Sequence, residues 1–150
     1  MTGRDYLLNL RDALAILDES LFWLKRSYDV CEKIGIKEEF TPEEFDAFET
    51  LTSRFARTGD MVLQKAFRSI DKVELTDGGT LLDVLNRAHK RGLIESVDEV
   101  RLIRELRNDI AHEYKTEKLE SLFKEVLEVT PRLMQIIATV REYCQKYQSV

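Results

Sequence analysis

From Arg4 to Lys33 the apolar residues step by threes and fours: Leu7, Leu10, Leu14, Leu17, Leu21, Leu24, Tyr28 and Cys31. That period predicts one long helix with a continuous seam. The seam fits a bundle core, and its length also suits a contact between copies. Ile16 and Phe22 lie off the seam, so a second side of the helix is expected to be covered too. Gly35 closes the helix. Thr41, Pro42, Glu43 and Glu44 then open another, as N-cap, first helical residue and two acids at the positive end of the helix dipole. Phe45, Phe48, Leu51, Phe55, Val62, Leu63, Ala66, Phe67 and Ile70 carry it to about Ile70. Gly59 interrupts this pattern at about 1 kcal/mol relative to alanine. It fits a close helix contact, a kink or a tolerated weak point equally well.

Thr76, Asp77, Gly78 and Gly79 form a loop. Thr80 with Asp83 caps a short helix from Leu81 to Arg91, which Gly92 stops. His89, Lys90 and Arg91 put cations at the negative end of that helix, where the dipole accounts for them without a function. Ser96 and Glu99 form a further capping box, and a fourth helix runs from there into the stretch from Glu105 to Tyr114, which forms its end. Thr116 is expected to cap a fifth helix, Glu117 to about Glu128. Thr130-Pro131 should break or kink the pattern before a last helix from Leu133 to about Tyr147. Neither repeats nor linkers appear. The reading is one all-α domain over residues 1–150, an antiparallel bundle of five to six helices.

Composition narrows this picture. Apolar residues make up 43% and charged residues 34%, a globular balance. The net charge of -5 supplies no bulk basic field, so an anionic polymer must be met by a local cluster of cations, and DNA binding is not expected. Cys31 and Cys144 are far apart in sequence and lack a CxxC arrangement; with two histidines in the chain, no protein-built metal site is expected. Both read as reduced thiols, although sequence alone leaves their pairing open. A polar start and the lack of a long apolar run argue against a leader or a membrane span, so the expected location is cytoplasmic.

The chemistry concentrates at the end of the fourth helix, in Arg107, Asn108, His112 and Tyr114. Val100, Ile103, Leu106, Ile110 and Tyr114 share its apolar face, while Arg101, Arg104, Asn108 and His112 line an adjoining polar one. Arg107 can hold a phosphate through two hydrogen bonds, His112 can move a proton near neutral pH, and Asn108 can orient the imidazole. Arg101 and Arg104 extend a cationic stripe. Metal-free RNA cleavage needs a base for the ribose 2′-OH, an acid for the leaving oxygen and positive charge at the phosphate. A helix turns Arg107 and His112 about 140° apart, so one straight helix does not aim both at one point. One well-placed histidine is also too few for both proton transfers, so a symmetric dimer is expected to complete the site. The plainer alternative is that Arg107 and His112 only satisfy the helix end and Tyr114 only anchors it.

The segment from Arg107 to Tyr114 resembles the RNxxxHxY signature of HEPN domains, and among them the HepT-like toxins of HEPN–MNT toxin–antitoxin modules. The resemblance extends to chain length and helix order. It implies a dimerising helical bundle and a metal-independent ribonuclease site at the dimer cleft, without a cofactor. Arg107 would bind or polarise the scissile phosphate and His112 would be the acid–base residue, with Asn108 in support. The implied partner is an MNT-type nucleotidyltransferase antitoxin that adds AMP to Tyr114, placing negative charge and bulk where RNA would bind. Related HEPN proteins bind a nucleotidyltransferase or its nucleotide without cutting RNA, which gives the alternative function.

Overall fold

A computed structural model describes residues 2–113 and 116–147, and every regular element among them is helical. Helix α1 spans Gly3–Ile34. Helix α2 begins as Pro42–Asp60, widens into a π-helical segment at Met61–Ala66, and resumes as Phe67–Val73. Helices α3 (Leu81–Lys90), α4 (Val97–His112) and α5 (Thr116–Cys144) follow, and a 3-10 turn at Gln145–Tyr147 ends the described chain.

Local chemistry sets most of these boundaries. The Thr2 hydroxyl accepts from the Asp5 N–H, and the Asp5 carboxylate accepts from the Thr2 N–H, which closes the first turn of α1. Thr41 with Glu44 and Thr80 with Asp83 repeat that reciprocal pair on α2 and α3. At the far end of α1, Gly35 takes φ 75° and donates its N–H to the Cys31 carbonyl. Gly78 and Gly79 both take positive φ in the loop before α3.

The α1 seam is core within the chain: Leu10, Leu14, Leu17, Leu24 and Cys31 are all buried. Its other side stays uncovered in the single chain, with Ile16 at 51% and Phe22 at 60% exposure. Phe123 of α5 stacks on Phe48 of α2 with centroids 5.2 Å apart, and Phe45 meets Phe123 edge-on at 5.1 Å. The core draws on all five helices. Cys31 and Cys144 lie inside it as free thiols, and burial pushes both up to about 11. Thiols so held are poor nucleophiles.

Two sequence expectations are corrected. Thr130-Pro131 does not end a helix: α5 runs through it, and the described residues form five helices, within the expected five to six. Proline removes one helical hydrogen bond, at roughly 3 kcal/mol in a helix interior. Val126, Val129, Thr130 and Leu133 are buried on both sides of it, and the Thr130 hydroxyl donates to the Val126 carbonyl at 2.6 Å. Burial of that continuous stripe outweighs the missing bond. Arg91, expected to serve only the helix dipole, instead reaches α2. It pairs with Asp71, which is 1% exposed, and with Glu74 at 2.8 Å, while Arg87 pairs with Asp71 at 3.0 Å. Burial would raise the Glu74 carboxyl, but the Tyr143 and Tyr147 hydroxyls and Arg91 outweigh it and hold Glu74 below the usual range. This network ties α2, α3 and the end of α5. No described helix is long and apolar enough to cross a membrane.

Candidate functional site

Helix α4 starts where the Ser96 hydroxyl accepts from the Glu99 N–H at 3.1 Å, with Asp98 and Glu99 in the first turn. Val100, Ile103 and Leu106 are buried and Ile110 is half-buried, so the expected apolar face is the one that packs. Against Ile103 lies Gly59 of α2, where an added Cβ would stand 3.6 Å from the isoleucine Cγ2. One turn further along α4, Arg107 meets Asp60, the residue after that glycine.

The Arg107 Nε donates to both Asp60 carboxylate oxygens, at 3.0 and 3.1 Å. The pair lies at the surface, with side chains 36% and 42% exposed. Only Nε is engaged, so among the described residues the two terminal amines of Arg107 have no partner. Asp60 thus orients the guanidinium and partly neutralises it. No sequence signal singled out Asp60, because its partner lies 47 residues away.

His112 is the last residue of α4, and Glu113 follows with extended backbone at φ -93°, ψ 122°. The helix thus ends at His112, inside the stretch that the sequence assigns to its end. The imidazole is exposed and borders a shallow groove with Asp109, Glu113, Lys118, Ser121 and Glu125. Arg107 faces α2, whereas His112 faces the start of α5, in keeping with their separation of about 140° around one helix. Within one chain the structure does not bring them together. Asn108 is half-buried, and neither its amide nor the His112 ring makes a hydrogen bond among the described residues. Arg101 is exposed and stands 3.9 Å from Asp98, and Arg104 is exposed. Tyr114 and the capping side chain of Thr116 lie outside the described residues.

No group of three or more His, Cys, Asp or Glu residues that could hold a metal ion occurs among the described residues. What α4 offers is an oriented guanidinium with free amines on one side and an accessible imidazole at its end on another. The first can bind a phosphate and the second can exchange a proton. No protein-family model matches the chain, and no similar curated protein or solved structure was found.

Proposed function

We propose that this chain is a HepT-like, metal-independent endoribonuclease, the toxin of a HEPN–MNT pair, acting as a dimer of HEPN-like antiparallel bundles. The observation that carries the proposal is the sequence motif of Arg107, Asn108, His112 and Tyr114, in a chain whose described regular elements are all helical. The free terminal amines of Arg107 and the exposed ring of His112 support it, because both must be reachable by RNA. Their divergence on α4 supports a site completed by a second copy.

In this scheme one copy's His112 takes the ribose 2′-OH proton. The 2′-oxygen bonds to phosphorus as the bond to the 5′-oxygen breaks. The second copy's His112 protonates that leaving oxygen, while Arg107 offsets charge on the phosphate. The products are a 2′,3′-cyclic phosphate and a 5′-hydroxyl, and the scheme calls on no cofactor. A nucleotidyltransferase antitoxin would silence the site by adding AMP to Tyr114, whose new phosphate would compete with RNA for Arg107.

The test is RNA cleavage by the purified chain in EDTA, beside His112→Ala and Arg107→Ala. Cleavage that persists in EDTA and falls at least about a hundredfold in either variant is expected. Equal activity in all three, or none in a verified dimer free of AMP, removes the proposal. The Asp60–Arg107 pair favours a second reading, a non-catalytic HEPN subunit that binds the nucleotidyltransferase or its nucleotide, because a carboxylate already occupies part of the cation. That reading predicts binding that depends on Arg107 while RNA stays intact.

A further inference from the structure

The chain is acidic, yet α2 gathers cations along the side that borders α1. Two adjoining depressions, of about 240 and 320 Å³, lie between these helices, and Ile16 lines both. Trp23 and Arg57 line the first, and Lys65, Arg68, Lys72 and Tyr6 line the second. Among the described residues the side chains of Arg57, Lys65, Arg68 and Lys72 make no hydrogen bond or ion pair. At about 1.5 Å per residue, the strip from 57 to 72 is on the order of 22 Å long, a span for a polymer rather than a small ligand. The π-helical segment Met61–Ala66 lies in the middle of it.

One end of the strip carries an aromatic platform. Trp23 is 43% exposed, and Phe22 lies edge-on to it with centroids 5.1 Å apart. The Arg54 guanidinium sits 5.1 Å from the Trp23 ring centre and is itself held by the Trp23 carbonyl at 3.2 Å and the Ser27 hydroxyl at 2.7 Å. The guanidinium thus lies over one face of the indole, and a base can stack from the other side. Asp12 and Glu19 stand on the α1 side of the depressions, so an anionic strand is confined to the α2 wall.

We propose that the α1–α2 groove is a track for single-stranded RNA, with a base stacked on Trp23 and successive phosphates on Arg57, Lys65, Arg68 and Lys72; the choice of RNA as the strand rests on the ribonuclease reading above. Unpaired cations and an exposed aromatic ring are the two elements of non-specific strand binding. A duplex would satisfy the cations but leave no free base face for Trp23. An acidic protein would leave the indole without a role.

Trp23 is the sole tryptophan of the chain, so its emission reports on this groove. The full chain carrying His112→Ala, which keeps RNA intact, is titrated with a short oligouridylate at several salt concentrations and, separately, with polyglutamate. Saturable quenching by the oligouridylate is expected, with polyglutamate much weaker. Joint replacement of Lys65, Arg68 and Lys72 by glutamine should weaken binding at least about tenfold and reduce the salt slope by about two, at roughly 0.7 per lost phosphate contact. Unchanged emission at saturating RNA, an unchanged slope in the triple variant, or equal quenching by polyglutamate overturns the proposal. RNA cleavage by the unmodified chain with a silent Trp23 would sink the track and leave the ribonuclease standing. Quenching that depends on the cations, without cleavage, would do the reverse.

Discussion

Asp60 and Asp71 both lie on α2 and both hold an arginine from outside it, and burial separates what the two pairs contribute. The Asp60 side chain is 42% exposed, so water screens its pair with Arg107. The Asp71 side chain is 2% exposed, and removing its charge leaves Arg91 nearly buried and Arg87 partly buried without a counter-ion. Urea denaturation of the single variants should therefore show Asp71→Asn losing about 3 kcal/mol. Asp60→Asn should lose under about 1 kcal/mol. Equal losses would contradict this assignment of roles. Arg107 was legible in the sequence because its neighbours form a local motif. Asp60, Asp71 and Arg91 were not, because spacing along the chain says nothing about partners brought together by folding. Trp23 carried no signal in sequence either, since its importance comes from Arg54 and Arg57 on a different helix.

At the scale of elements, short-range chemistry was readable and its competition with packing was not. Thr41 with Glu44 and Thr80 with Asp83 announce their helices within four residues, and Gly35 ends α1 through a conformation glycine adopts without strain. Pro131 does not end α5, because the burial of Val126, Val129 and Leu133 on one face outweighs what proline removes. The π-helical turn after Asp60 had no legible signature at all. Gly59, equivocal in the sequence, proves to face Ile103 at a distance that leaves room for a methyl group, since 3.6 Å is ordinary van der Waals contact. Gly59→Ala should accordingly stabilise the chain by about 0.5–1 kcal/mol through the better helix former. A lower unfolding midpoint in that variant would mean that α2 and α4 approach more tightly than this contact indicates.

At the scale of the whole molecule, the five helices of the described residues form one core, and the leucine seam of α1 belongs to it. The all-α class was legible because the helical period is unbroken. The geometry of the site was only half legible: the helical wheel already set Arg107 and His112 apart, and the structure turns them toward α2 and α5 respectively. That divergence leads to the central claim, an RNA-cleaving site that needs two copies of α4. The direct measurement is metal-free RNA cleavage by wild-type chains mixed with increasing amounts of His112→Ala chains, after subunit exchange at fixed total concentration. If both histidines of a dimer are needed, an equal mixture retains about a quarter of the wild-type activity, following the square of the wild-type fraction. A linear fall to about half, as separate single-chain sites would give, or cleavage indifferent to His112 contradicts it.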